Sequence, residues 1–95
     1  MNTETVKTIV EQIRALDPLL FLSSDRVIVN DTTLRLVFKE IVNTYKVDIC
    51  YNRGNDLYNI VIYRISNSNL DTIKVKEIKD LFFGQITQVI RDVIK

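Results

Sequence analysis

The segment that most constrains the fold is residues 46–65, KVDICYNRGNDLYNIVIYRI. Two runs rich in β-branched and aromatic residues flank the NRGND segment at residues 52–56. Asn, Gly and Asp tolerate the backbone conformations that a chain reversal needs, and this pattern is typical of a β-hairpin. We therefore predict two antiparallel strands joined at residues 52–56.

Alternation of side chains predicts which residues of the sheet face the core. Apolar residues alternate with polar or mixed ones over residues 33–40 and 46–52, as in a strand with one buried face. Over residues 57–65 both alternating sets are apolar, which favours a central strand. The predicted inner face is formed by Leu34, Leu36, Phe38, Val47, Ile49, Tyr51, Tyr58, Ile60 and Ile62. The predicted outer face is formed by Arg35, Val37, Lys39, Lys46, Asp48, Cys50, Asn59, Val61, Tyr63, Lys74 and Lys76.

The N-terminal segment predicts an amphipathic helix over residues 3–16. Its apolar residues are spaced three and four apart, and Asn2 or Thr3 is suited to cap its start. The pair Asp17-Pro18 should end this helix. Asp17 as a new N-cap, with Pro18 in the first helical position, predicts one further helical turn through Phe21.

Two segments permit alternative interpretations. Residues 26–30 form a β-branched run that predicts either a weak strand or an ordered loop. Residues 72–78 predict either an edge strand guarded by lysines or the beginning of the C-terminal helix, because SNLD at residues 68–71 resembles a capping box. We favour the strand, since β-branched residues are dense there. From Asp80 onward, helical spacing predicts an amphipathic helix with the stripe Phe82, Ile86, Val89, Ile90 and Val93.

These elements predict an α+β fold in two layers. An N-terminal helix, an antiparallel meander of four to five strands and a C-terminal helix follow one another, and both helices should pack on one face of the sheet because each has a single apolar stripe. The chain has 95 residues, which suits one core, so we expect a single domain over residues 1–95.

Composition limits which cellular compartment and which kinds of binding partner suit this protein. The formal net charge of +1 gives no strong field toward phosphate backbones or acidic membranes. Cys50 is the one cysteine, which excludes an internal disulfide and suits a reducing compartment. The longest apolar run near the N-terminus, residues 19–22, is far too short to span a membrane. We expect a cytoplasmic protein that does not bind membranes.

The inventory of reactive side chains argues against an enzyme. The chain has no histidine, and one cysteine cannot build a structural zinc site. Asp48, Asp56 and Asp71 could meet to bind a divalent cation but lack a ligand-dense loop. We expect Asp56 to cap its turn through backbone amides, and Asp48 to pair with Lys39 or Lys46. We predict no catalytic residue, no metal, no cofactor and no small-molecule substrate.

Two short motifs resemble a known group of proteins. The run TLRLVFKEIVNTYKVDICYN at residues 33–52, followed by DLYNI at residues 56–60, resembles small uncharacterised bacteriophage and mobile-element proteins. Members of that group have an N-terminal helix with an LDP-like end, here residues 16–18, a meander containing a DLYD-like strand start, and a C-terminal helix. The chain departs from the group at Asn59 and Tyr63, where Asp and a small polar residue are common. The resemblance implies a fold and a phage-like origin in a host cytoplasm, and it assigns no functional residue.

The outer face is the remaining candidate for function. It mixes cations with an aromatic residue and valines, a composition that suits contact with a protein partner. We predict a non-enzymatic accessory protein that binds itself, as a homodimer, or a host protein through this face or through an edge strand. The alternative is a module that binds single-stranded nucleic acid with Tyr63 stacked on a base. The residues predicted to bind the partner are Arg35, Val37, Lys39, Val61, Tyr63, Lys74 and Lys76.

Overall fold

Five consecutive strands build one antiparallel sheet in which each strand lies beside its neighbours in the sequence. The computed structural model describes residues 4–94. The strand order is β1-β2-β3-β4-β5, so the predicted meander is confirmed. In chain order the elements are α1 (Glu4–Leu16), α2 (Pro18–Leu22), β1 (Asp25–Asn30), β2 (Thr33–Lys39), β3 (Asn43–Asn52), β4 (Leu57–Ser66), β5 (Thr72–Leu81), a 3₁₀ turn (Phe83–Gln85) and α3 (Ile86–Ile94).

The register of the central strands places the apolar side chains on one wall. Ile49 lies opposite Ile60 and Val47 lies opposite Ile62 across β3 and β4, while Ile49 also lies opposite Leu34 of β2. Directly opposite residues of antiparallel strands share a face, so these side chains meet. Their burial is nearly complete, and the predicted inward register is confirmed.

All three α-helices cover this inner face and leave the outer face without a helical layer. Each helix presents an apolar stripe, as the spacing of its residues requires. The core is formed by Val6, Ile9 and Ile13 of α1, Leu20 and Phe21 of α2, Leu34, Leu36, Phe38, Val47, Ile49, Tyr58, Ile60, Ile62 and Leu81 of the sheet, and Ile86 and Ile90 of α3. The predicted α+β architecture, with both terminal helices on one face, is confirmed.

The first two helices meet at Asp17, as predicted. The Asp17 carboxylate accepts a hydrogen bond from the Leu20 amide at 3.2 Å, and Pro18 occupies the first turn of α2. Asp17 also pairs with Arg91 of α3, so one side chain caps a helix and joins two helices. The predicted cap of α1 at Asn2 or Thr3 lies outside the described residues.

The two ambiguous segments are both strands. Residues 25–30 form the edge strand β1, and residues 72–81 form the opposite edge strand β5. The prediction of a strand over residues 72–78 is confirmed, and the ladder continues three residues further.

The predicted start of the C-terminal helix at Asp80 is wrong. Asp80 has a φ of 60° at a bulge in β5, where its amide donates to the side chain of Asn59 at 3.1 Å. Leu81 still pairs with Tyr58, and Phe82 is extended with its side chain 68% exposed. Phe82 is therefore not part of the helical stripe, and Phe83 packs against the core instead.

The β3–β4 turn is closed mainly by asparagines. The Asn52 side chain accepts from the Gly54 amide at 2.9 Å, and the Asn55 side chain accepts from the Leu57 amide at 3.1 Å. Asp56 has a φ of 58°, which Asp tolerates better than most residues. Its carboxylate accepts from the Tyr51 hydroxyl rather than from backbone amides, so the predicted capping role of Asp56 is wrong.

No helix within residues 4–94 is long and apolar enough to span a lipid bilayer.

Candidate interaction surface

The strand register arranges the outer face in two adjacent rows. One row contains Val37, Lys46, Tyr63 and Lys74 from β2 to β5. The next row contains Arg35, Asp48, Val61 and Glu77. Five of the seven residues predicted to bind a partner therefore lie together: Arg35, Val37, Val61, Tyr63 and Lys74.

Apolar side chains in the middle of this face are largely, but not fully, shielded from water. Val37, Val61, Tyr63 and Ile65 are intermediate in exposure, because neighbouring side chains shield them while no helix lies above them. Aliphatic stems of lysine and arginine commonly cover apolar neighbours in this way. The result is a flat surface with an apolar centre and a charged surround.

Arg35 and Asp48 form the strongest polar contact on the outer face. The Arg35 Nε atom lies 2.6 Å from Asp48 Oδ1, and its Nη2 atom lies 3.0 Å from Oδ2. This two-point geometry is the preferred pairing of a guanidinium with a carboxylate. The bonded Asp48 carboxylate raises the pKa of Arg35. The predicted partners of Asp48, Lys39 or Lys46, are wrong because Arg35 lies directly opposite it on the neighbouring strand.

Two more cations of the outer face have acidic neighbours. The Lys74 ammonium lies 3.0 Å from a Glu77 carboxylate oxygen, and this contact raises the pKa of Lys74 and lowers that of Glu77. The Lys39 ammonium lies 3.7 Å from Asp25 at the corner of the sheet. Three of the four outer-face cations are thus paired, while Lys46, between Val37 and Tyr63, forms no ion pair within residues 4–94.

Lys76 does not belong to the outer face, which corrects the predicted set. Between Lys74 and Lys76 the ladder shifts register, so Tyr63 pairs with Lys74 while Ile62 pairs with Lys76. The extra residue, Val75, packs against the core. Because the bulge changes the parity of β5, Lys76 is on the side of buried Ile62 and extends into solvent past the sheet edge.

The two edges of the sheet differ in how they are protected. β5 carries Lys74, Lys76 and Lys79 and two bulges, both of which hinder pairing with another strand. β1 is exposed throughout, carries Val27, Ile28 and Val29 with no lysine, and has one register irregularity, between Ile28 and Asn30. The less protected edge is therefore β1, whereas the edge strand that the sequence analysis singled out was the lysine-rich β5.

The lone thiol has no activating environment among the described residues. Cys50 Sγ contacts the Thr32 hydroxyl at 3.9 Å and the Tyr51 carbonyl oxygen at 3.8 Å. In residues 4–94, no three His, Cys, Asp or Glu side chains come together as a metal site would need. The carboxylates Asp48, Asp56 and Asp71 accordingly do not meet there.

A polar cleft of about 250 Å³ lies between α1 and the β3–β4 turn. The Tyr58 hydroxyl donates to Gln12 Oε1 at 2.9 Å, and the Tyr51 and Tyr58 rings are 5.4 Å apart. Burial raises the pKa of Tyr58. The hydrogen bond between Tyr58 and Gln12 attaches α1 to the sheet.

Sequence reasoning missed an exposed apolar surface at one end of the sheet. Ile41 and Val42, at the tip of the β2–β3 turn, are 96% and 69% exposed. Leu19 and Leu22 of α2 are also largely exposed. The available signal was the pair Ile41-Val42 in a segment where the chain must reverse, because turns usually contain Gly, Asn, Asp, Ser or Pro.

No protein-family model, no curated protein and no solved structure matches this chain. The resemblance to small bacteriophage and mobile-element proteins stays a prediction.

Proposed function

We propose that this protein is a non-enzymatic interaction domain that binds a protein partner through its outer face. The observation that carries the proposal is the unequal treatment of the two sheet faces. Three helices cover the inner face, whereas the outer face has apolar side chains at its centre and no covering layer. A partner that packs against Val61 and Tyr63 would remove this apolar surface from water.

The arrangement of charges supports a protein rather than a nucleic acid as the partner. Arg35, Lys39 and Lys74 each have a carboxylate within 3.7 Å, so their charges are largely compensated and attract a phosphate less strongly, and Lys46 is the one outer-face cation without an ion pair within residues 4–94. Nucleic-acid grooves instead present unpaired cations along the backbone path, with several aromatic residues for stacking. A mixture of paired charges around an apolar centre is typical of the rim and core of a protein interface.

Within the proposed interface, Val37, Val61 and Tyr63 are the anchors. Tyrosine supplies a large rigid surface and a hydroxyl that can donate a hydrogen bond. Arg35, held by Asp48, presents the remaining edge of its guanidinium to the partner, and Lys39 and Lys74 lie at the rim. The residue Lys76 has no part in this interface because it lies on the other side of the sheet.

The test is capture of partners from cells that naturally produce the protein. Immobilised wild type should retain at least one protein that the double variant Val61→Ser/Tyr63→Ser does not retain. Phe82→Ser is the matched control, since it removes an aromatic side chain that is 68% exposed outside the outer face. It should retain the same protein as wild type.

The nucleic-acid alternative is tested with a labelled 30-nucleotide single strand. Filter binding at low and at physiological salt should show no affinity that depends on Tyr63. Retention of identical proteins by wild type and the double variant would contradict the proposal, and salt-sensitive binding of the oligonucleotide that Tyr63→Ser abolishes would favour the alternative.

A further inference from the structure

The end of the sheet at the β2–β3 turn exposes several large aliphatic side chains. We define the apolar end by its five exposed aliphatic residues, which are 69% to 96% exposed: Leu19, Leu22, Ile41, Val42 and Leu70. They come from α2, from the β2–β3 turn and from the β4–β5 turn. Exposed aliphatic residues gathered from three separate segments are typical of an interaction site.

The tip of this surface is held rigid by a single asparagine. The Asn67 side-chain amide donates to the Glu40 carbonyl at 2.8 Å and to the Ile41 carbonyl at 3.1 Å. Its backbone amide donates to the Val42 carbonyl at 2.9 Å, and its side-chain oxygen accepts from the Thr44 hydroxyl at 2.8 Å. Ile41 is therefore presented to solvent on a fixed backbone, which lowers the entropy lost when it binds.

An apolar cleft lies directly beside this tip. It has a volume of about 310 Å³, and Leu19, Phe38 and Ile94 form its apolar walls, with Glu40 and Arg91 at its rim. A cavity of about 150 Å³ already holds a benzene molecule, so this cleft has room for a branched aliphatic side chain. A second cleft, between Ile41 and Ile94, adjoins the first because both contain Glu40 and Ile94.

From this juxtaposition we infer that the apolar end binds a second copy of the chain, with Ile41 of each copy inserted into the cleft of the other. A projecting residue and a receiving cleft on adjacent parts of one surface are what a two-fold, self-complementary contact needs. Such a contact closes after two copies and does not continue into a fibre.

The charges at the rim fit the same arrangement. Glu40 directly precedes Ile41, and none of the ion pairs formed within residues 4–94 includes it. Insertion of Ile41 carries Glu40 toward the cleft of the second copy, whose rim holds Arg91 with its side chain 47% exposed. The Asp17 carboxylate already orients that guanidinium, so it can receive a second carboxylate without a large rearrangement.

The available area predicts a weak dimer. A fully exposed aliphatic side chain offers about 60–120 Å² of apolar surface, which is its free energy of transfer from water divided by about 25 cal/mol per Å². Scaled by their exposed fractions, the five side chains offer roughly 230–460 Å² per copy. A stable homodimer buries about 800 Å² per copy, of which about 65% is apolar. The apolar end approaches that requirement only with the cleft walls included, so we expect a weak dimer that dissociates on dilution.

Sedimentation velocity over a concentration series tests the inference. Wild type should change from monomer to dimer between about 1 and 500 µM. Ile41→Asp should raise the dissociation constant at least tenfold, because it places a charge in the apolar cleft. Phe82→Asp introduces the same charge at the opposite end of the sheet and should dimerise as wild type does.

Further measurements keep the result unambiguous. Ile41 is 96% exposed, so Ile41→Asp should unfold at the same temperature as wild type, and Ile41→Ser repeats the test without a charge. Tyr63→Ser should leave dimerisation unchanged, which separates this contact from the outer face. A wild type that stays monomeric at 500 µM, or an Ile41→Asp variant that dimerises equally well, would overturn the inference, as would binding of a monomer to phosphatidylcholine vesicles through Ile41.

Discussion

The two faces of the sheet contain similar side chains along β4 and yet have different surroundings. Ile60 and Ile62 point inward and have no exposed surface, whereas Val61 and Tyr63 point outward and remain partly exposed. The two faces differ in their helical cover, because α1, α2 and α3 all pack on the inner face. Apolar residues on one side of a strand therefore indicate that this side can be buried. Whether the chain itself buries it depends on which face of the sheet the helices return to.

Adjacent residues of β4 give the sharpest test of this difference. Ile60→Ala should lower the free energy of unfolding by about 3 kcal/mol, since it leaves a cavity in a fully buried site. Val61→Ala should lower it by no more than about 1 kcal/mol, because the site is partly exposed and the loss is mainly of strand propensity. Urea denaturation of both variants measures the two values. Equal losses would show that the outer face is buried in solution.

The ion pair between Arg35 and Asp48 tests how firmly the uncovered face is ordered. A double-mutant cycle with Arg35→Ala and Asp48→Ala should give a coupling energy of about 1 kcal/mol, because the pair is bidentate and both side chains are partly shielded. The cycle is read from urea denaturation of the four proteins. A coupling near zero would show that this ion pair adds no stability to the uncovered face.

The smallest expected change in stability comes from a substitution at Asp17, which joins α2 to α3 on the inner face. Asp17→Asn retains a side-chain acceptor for the Leu20 amide and removes the negative charge facing Arg91. At pH 7 the melting temperature should fall by roughly 2–4 °C, as expected for loss of one ion pair whose Arg91 side is about half exposed.

The pH dependence of this difference follows from the pKa of Asp17. The hydrogen bond from Arg91 holds the pKa of Asp17 below its ordinary value of 3.8 in the folded protein. The stabilisation is therefore complete above pH 3.8 and disappears as the pH falls through the lower folded-state pKa. The melting temperatures of wild type and Asp17→Asn should converge in that acidic range, and a difference that stays constant down to pH 2 would exclude the ion pair as its cause.

Much of the fold could be predicted because alternation and helical spacing are local properties. Eight of the nine residues predicted to face inward from β2, β3 and β4 are buried, and the ninth, Tyr51, is half-buried at the end of its strand. The N-cap at Asp17 was predictable for the same reason, since it depends only on residues 17–20.

What could not be predicted depends on bulges, which break the two-residue period without a clear signal in the sequence. One bulge moves Lys76 off the outer face, and another at Asp80 extends β5 and delays the C-terminal helix. The partner of Asp48 depends on the register between β2 and β3, where Arg35 lies opposite it. The apolar end depends on three segments far apart in the chain, so no local pattern reveals it.

The strand order has a consequence for how the chain folds. Each strand pairs with the strand next to it in the sequence, so every pairing closes a short loop, whereas the contact between Asp17 and Arg91 spans 74 residues. Because closing a long loop costs more chain entropy, we expect the hairpins to zip together first and the terminal helices to dock after the rate-limiting barrier. Removing the Asp17 charge should then accelerate unfolding and leave the refolding rate almost unchanged.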